Sequence, residues 1–274
     1  MPTRVLAFAA RRGDPVALTA HAGHAAELAR RALDDGCELI VAVGGDGTLN
    51  EVASALLDTP ATLGLVPCGS GNGLARHLGI YGAPRHIFRT LTAGRPRLID
   101  TGLADGHPFF TTAGLGFEAE ISARFNRLER RGFLRYLTTS AALLRAWSPR
   151  DCTIAHGSQR ERVRAFTLTV ANGSQYGNNA RIAPGASIDD GLLDLTVVPP
   201  ITAWNALPLL WRLFAGTLDR APDVTLRQAA QFTVERPAPG LIHTDGETHL
   251  AGARVEFSIR PRSLRVLVPT TTGR

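Results

Sequence analysis

Residues 38–51 read Glu-Leu-Ile-Val-Ala-Val-Gly-Gly-Asp-Gly-Thr-Leu-Asn-Glu, and residues 62–75 read Thr-Leu-Gly-Leu-Val-Pro-Cys-Gly-Ser-Gly-Asn-Gly-Leu-Ala. Each stretch is an apolar run, a glycine-rich loop and the opening of a helical pattern. A continuous apolar strand such as Glu38–Val43 is the kind a parallel sheet buries on both faces. Two consecutive strand–loop–helix units predict a doubly wound α/β sheet with right-handed crossovers.

The loops carry the chemistry. Backbone N–H groups at the start of a helix lack intrahelical partners and lie at the positive end of its dipole. Glycines let a phosphate approach that backbone closely. Gly44, Gly45, Gly47 and Thr48 therefore form a candidate phosphate cradle, repeated one strand later by Gly69, Ser70, Asn72 and Gly73. Thr48 with Glu51 fits a capping box, which makes Thr48 the expected N-cap. Asp46 is out of place beside phosphates unless a metal ion lies between, so Mg²⁺ bridging is its functional reading. The other reading is a tight Asp-Gly turn. Ser70 can donate its hydroxyl to a phosphate, and Asn72 either bonds a ribose or sits at positive φ in the turn. Two such loops at the carboxyl ends of nearby strands line one crevice. Neither spells the dinucleotide fingerprint, because Leu74 stands where its last glycine would be.

Outward from these loops, the pattern gives a helix at Arg4–Arg12, a short strand at Pro15–Thr19 and an amphipathic helix at His24–Asp35. Helices follow at Thr48–Leu57 and Leu74–Leu78, with a strand at Thr62–Val66 between them. After about Arg97, short strands dominate: Pro108–Thr112, Thr153–Ala155, Ala165–Val170, Leu192–Val198, Phe232–Glu235, Leu241–His243, Arg254–Ile259 and Leu264–Val268. Two amphipathic helices interrupt them, Phe133–Trp147 and Ala203–Leu218. The expected division is an α/β nucleotide-binding domain over 1–96 and a mostly antiparallel β domain over 97–274.

Composition narrows the chemistry further. The 274 residues contain 30 Lys+Arg, every one an arginine, against 24 Asp+Glu, for a formal charge of +6. Without lysine there is no P-loop, no protein-kinase phosphate lysine and no lysine Schiff base. A charge of +6 spread over this length is weak support for nucleic acid, which is not expected as a partner. Cys37, Cys68 and Cys152 are widely spaced and odd in number, so a reducing cytoplasm is the default. No apolar run reaches the roughly 18 residues of a membrane span, which leaves at most peripheral membrane contact.

The two loops, together with Asp100 in Leu-Ile-Asp-Thr-Gly, Gly114–Glu118, Asp189–Asp194 and Asp245-Gly246-Glu247, resemble the diacylglycerol kinase catalytic family and its bacterial lipid kinase and sphingosine kinase relatives. That resemblance implies ATP-dependent phosphoryl transfer to a lipid hydroxyl at a membrane surface. It also implies an α/β nucleotide domain followed by a β-sandwich, with the active site between them. Thr19, Gly44, Gly45, Asp46, Gly47, Thr48, Asn50, Glu51, Gly69, Ser70 and Asn72 then form the nucleotide-binding set. Asp46 and Asp100 match the acidic positions around catalytic Mg²⁺. Glu247 matches the general base. Ser187, Asp190 and Leu192 match a second, structural Mg²⁺ site. An NAD kinase-like enzyme and a catalytically weakened binding protein are the competing readings.

Family members open with a strand and an Asn-Pro loop ahead of the first helix, whereas Met1 here leads almost directly into Arg4–Arg12. The resemblance therefore predicts a start farther upstream, or a shortened kinase. A sheet edge exposed in this way invites pairing with another chain, and a homodimer is one expected outcome.

Weaker candidates fill out the list. His21 and His24 are expected at the surface. Arg127, Arg130, Arg131 and Arg135, with Phe133 and Tyr136, could meet lipid headgroups, although a solvated face is favoured. Trp204, Leu207, Leu209, Leu210, Trp211 and Phe214 are expected to pack in the core rather than on a membrane. On the residues alone, Asp245-Gly246-Glu247 reads as a hairpin turn with a solvated glutamate.

Overall fold

The computed structural model describes residues 2–126, 143–144 and 146–270. The expected helix Phe133–Trp147 and the arginine cluster at 127–135 fall almost wholly outside the described residues. In chain order the elements are α1 Pro2–Arg12, α2 His24–Asp34, β1 Leu39–Gly44, α3 Asp46–Ala55, β2 Thr62–Pro67, α4 Gly73–His77 and α5 Pro84–Ala93. There follow β3 Arg95–Ala104, β4 His107–Phe109, β5 Thr112–Gly116, α6 Phe117–Asn126, β6 Arg150–His156, β7 Gln159–Ala165, β8 Thr167–Ala171 and β9 Leu193–Val198. The chain closes with α7 Ala206–Ala215, β10 Thr225–Ala229, β11 Gln231–Glu235, β12 Gly240–Thr244, β13 Glu247–Ala251 and β14 Arg254–Val268.

Two compact units result, 1–99 with 263–274, and 100–262. The first boundary lies close to the expected one at 96/97. The segment from Ser263 onward, expected in the second domain, belongs to the first unit instead. The reason is strand length. Arg254–Ile259 and Leu264–Val268, read as two strands, are one continuous β14, whose end pairs in parallel with β2 at Arg265–Thr62 and Val266–Leu63.

In unit 1, β2 also pairs in parallel with β1 in register from Leu39–Thr62 to Gly44–Pro67. Central β2 is buried from Thr62 to Val66, as a continuous apolar strand should be. Strand β1 departs from the expectation of burial on both faces. It lies at the edge of the sheet, and Leu39, Val41 and Val43 are each more than a third exposed. Alternation is the pattern of a strand covered on one side. The expected strand Pro15–Thr19 does not form, and residues 11–20 are exposed throughout. A few β-prone residues without a pairing neighbour do not make a strand.

Unit 2 is a β-sandwich. A six-stranded sheet runs β10-β9-β8-β5-β12-β13, antiparallel at every step. Its inner face contributes Ala113, Leu115, Leu168, Val170, Leu195 and Ile242 to one core, met by Ile154, Phe232, Val234, Val255 and Phe257 from β6, β11 and β14. A second apolar cluster, including Phe166, Ile182, Val198, Leu209 and Leu218, lies along the path from β8 through α7. Core packing fails for four of the six apolar residues expected to bury the helix Ala203–Leu218. Leu209 is buried, but Trp204 is 91% exposed, Leu207 74% and Trp211 66%, with Leu210 also exposed.

Candidate functional site

The site is built first from the two loops of unit 1. Helix α3 begins at Asp46 with Gly45 as N-cap, so Thr48 is its third residue and not the cap. The expected capping box does not form. Glu51 reaches away from its own helix, and its carboxylate accepts the Gly23 N–H at 2.8 Å and the Ala25 N–H at 3.0 Å. A carboxylate there satisfies orphan donors at the start of α2 and complements its dipole.

Asp46 ties the loops together. Its Oδ2 accepts the Asn72 N–H and its Oδ1 the Gly73 N–H, both at 2.9 Å, across 26 and 27 residues. Asn72 takes the positive-φ reading, at φ +54°, and its side chain closes its own loop. Its Oδ1 accepts from Gly69 N at 3.0 Å and its Nδ2 donates to the Gly69 carbonyl at 2.6 Å. The loops also meet at glycine, since a Cβ on Gly69 would lie 2.7 Å from the Gly45 Cα. A Cβ on Gly44 would likewise meet the Thr48 side chain at 2.7 Å. Gly47 and Ser70 are exposed, Asn50 is partly buried, and Thr19 lies in the exposed segment before α2. His24 is part of that segment's frame, its Nδ1 accepting the Ala20 N–H at 3.0 Å.

In unit 2, Asp100 is 1% exposed. Its Oδ2 accepts from Gly191 N and its Oδ1 from Arg262 N, both at 2.7 Å. The structure gives it a buried fastening role. It anchors the loop that holds Ser187, Asp190 and Leu192, where Asp190 Oδ1 accepts the Leu192 N–H at 3.0 Å. The same loop runs into Asp194, which burial and the nearby Asp190 push up to about 6.

Glu247 is the first residue of β13, exposed, and paired with Thr244 across a two-residue turn. Asp245 and Gly246 both adopt positive φ, +49° and +91°, as a tight hairpin of this length requires. The turn is clamped. The Asp245 carboxylate accepts from Phe110 N at 2.6 Å, from Thr111 N and Thr112 N at 2.9 Å, and from the Thr111 hydroxyl. Sequence reasoning quoted Asp245 only as part of a motif and missed this role. The local signal was only the Asp-Gly pair of a hairpin turn, which says nothing of partners 133 to 135 residues away.

The fit to Mg²⁺ rests on donor chemistry. The Asp46 carboxylate, and the Ser187 hydroxyl, Asp190 carboxylate and Leu192 carbonyl, are oxygen donors suited to a hard cation. Among the described residues no group of three or more His, Cys, Asp or Glu forms a cage. Such a sparse set suits an ion whose shell is completed by water and phosphate oxygens.

A fold with paired glycine loops on a parallel sheet, followed by a β-sandwich with a clamped acidic hairpin, defines a kinase-type architecture. Residues 5–104 match the diacylglycerol kinase catalytic domain, and residues 111–268 match the YegS C-terminal NAD kinase beta sandwich-like domain. The chain belongs to this diacylglycerol kinase family, in its YegS-like branch. It is 32% identical over 259 residues to a Pseudomonas fluorescens protein named "probable lipid kinase YegS-like", covering 93% of this chain and 85% of that one. It is 31% identical over 244 residues to an uncharacterised Synechocystis protein, covering 86% of this chain and 56% of the relative. Among solved structures, a diacylglycerol kinase from Bacillus anthracis superposes with TM-score 0.71 at 19% identity, over 93% of this chain and 85% of that one. An NAD kinase from Archaeoglobus fulgidus in complex with ATP superposes with TM-score 0.55 at 13% identity, over 97% and 88%.

Proposed function

We propose that the chain is an ATP- and Mg²⁺-dependent lipid kinase that phosphorylates a hydroxyl of diacylglycerol or a related lipid. The observation that carries this reading is the Asp46 bridge, which ties the first glycine loop to the Asn72 and Gly73 N–H groups of the second and holds the two in contact. Phosphoryl transfer is mostly a matter of positioning and charge stabilisation, and helix N-termini supply both. Thr19, Gly44–Thr48, Asn50, Gly69 and Ser70 would contact nucleotide, while Asn72 and Glu51 brace that surface from behind. With no lysine, charge neutralisation falls to these N–H groups, to arginine and to the metal. Asp46 would hold a Mg²⁺ that neutralises phosphate charge, while Asp100, in unit 2, would keep the loop of Ser187, Asp190 and Leu192 in place. A second Mg²⁺ would stiffen the loop of Ser187, Asp190 and Leu192. Glu247 would take the proton of the acceptor hydroxyl, a task that needs an accessible carboxylate held still.

The lipid is presented at a membrane surface. No helix among the described residues is long and apolar enough to cross a bilayer. Exposed Trp204, Leu207, Leu210 and Trp211 form the amphipathic kind of surface that rests at a headgroup boundary. The experiment is transfer from labelled ATP, with Mg²⁺, to vesicles carrying diacylglycerol or a sphingoid base and, separately, to NAD. A labelled lipid supports the proposal, and label on NAD alone replaces it with the NAD kinase reading. Trp204→Ala with Trp211→Ala should abolish co-sedimentation with vesicles and leave the melting temperature unchanged. Unchanged sedimentation would remove α7 from membrane contact.

A further inference from the structure

The outer face of the six-stranded sheet carries a buried polar cluster that the reading above leaves unused. Three neighbouring strands bring His243, Gly114 and Thr169 side by side in register. Gly114 leaves a hole, and the Glu118 carboxylate fills it, since a Cβ at 114 would lie 1.8 Å from Glu118 Oε1. There the carboxylate accepts from the Thr169 hydroxyl, 2.9 and 3.0 Å from its two oxygens, and from the Tyr176 hydroxyl. On the other side, Glu118 Oε1 lies 3.3 Å from His243 Nε2, an ion-pair distance with poor hydrogen-bond alignment. His243 is 3% exposed and Glu118 7%.

The histidine's other nitrogen faces the catalytic turn. His243 Nδ1 accepts the Gly246 N–H at 3.3 Å, so the ring proton resides on Nε2, toward Glu118. The far end of the same helix holds the same residue from its other side. Asn126 Nδ2 donates to the Gly246 carbonyl at 2.8 Å. Helix α6 therefore fixes both polar groups of Gly246, one through Glu118 and His243 and one through Asn126. Gly246 is bonded directly to Glu247.

A buried carboxylate–imidazole pair is a poor way to gain stability, because desolvation offsets its attraction. Its value here is orientation. We infer that Glu118, acting through His243, and Asn126 are positioning residues for Glu247, holding its turn in the geometry for proton abstraction. The inference rests on the proposal that Glu247 is the base. A residue acting only through Glu247 should matter only while Glu247 is present, and a thermodynamic cycle isolates that dependence.

The test compares turnover of His243→Leu, His243→Asn and Asn126→Ala, each with Glu247 intact and with Glu247→Gln. His243→Leu should lower kcat about ten-fold with KM for ATP unchanged, a scale consistent with loss of orientation. His243→Asn, whose Oδ1 can replace Nδ1 as acceptor for Gly246, should recover most of that loss. Asn126 is exposed, so Asn126→Ala should fold normally and lower kcat about three-fold. In the Glu247→Gln background all three should change kcat less than about two-fold. Equal losses in both backgrounds, or wild-type kcat for His243→Leu and Asn126→Ala beside an impaired Glu247→Gln, overturn the inference alone. Wild-type turnover for Glu247→Gln overturns the base assignment, and the inference with it.

Discussion

Asp46 in unit 1 and Asp245 in unit 2 do similar work in different surroundings. Each spends both carboxylate oxygens on backbone N–H groups distant in sequence: Asp46 on two, Asp245 on three and a hydroxyl. Each sits in a glycine-containing turn. The difference lies in what stands beside it. Asp46 braces a glycine loop rich in backbone N–H groups, whereas Asp245 braces the hairpin turn that carries Glu247. An aspartate in a glycine loop can thus order the backbone around it as well as offer its charge.

The sharpest way to break this comparison is at Asp245. Asp245→Ala strips an acceptor from four donors, and each charge-assisted bond lost leaves a donor to be satisfied elsewhere. Stability should fall by about 3 kcal/mol and turnover by about 10²-fold. Asp245→Asn should fall nearly as far, because an amide has one acceptor oxygen and turns two donors toward the same N–H groups. Chemical denaturation with an activity assay checks both, and a stable, active Asp245→Asn would show that the clamp is incidental.

Asp46→Asn should have the smaller effect, since only one of two N–H groups loses its acceptor. We expect KM for ATP to rise about ten-fold and the Mg²⁺ concentration for half-activity to rise with it, the loss of one charge-assisted contact being worth about that much. Titrations of ATP and Mg²⁺ measure both. Unchanged values would make the loop a turn and nothing more.

The smallest effect concerns His249, which stacks on His107 with ring centroids 3.8 Å apart beside the Glu247 hairpin. Burial, with His107 and His243 close by to disfavour a further positive charge, holds its imidazole below the ordinary value. A histidine depressed in the fold contributes stability that is present above its unfolded value, about 6.5, and is lost as pH falls from there through its lower value in the fold. Melting temperature should therefore drop more steeply between about pH 7.5 and 5 in the wild type than in His249→Gln. Parallel curves would contradict this.

Much of this organisation was legible in the sequence, for identifiable reasons. The parallel strands showed as apolar runs, the loops as glycine clusters, and the sandwich as short strands separated by turns. Partnership was less legible. Nothing local says that Glu51 caps another helix, that Asp100 is buried under Gly191 and Arg262, or that β1 is an edge, because each depends on residues far away in the chain. The exposed apolar face of α7 was misjudged for a related reason. A helix rich in tryptophan and leucine reads as core unless the neighbouring layer is known. The positioning of Glu118 was hidden in the same way, since its partners Thr169 and His243 come from strands about 50 and 125 residues away.

The central claim is that Glu247 is a base held in place by the turn before it, and Glu247→Gln tests it most directly. With kcat and ATP binding measured together, kcat should fall about 10²-fold or more while ATP affinity stays at the wild-type value. Turnover equal to the wild type would contradict the account.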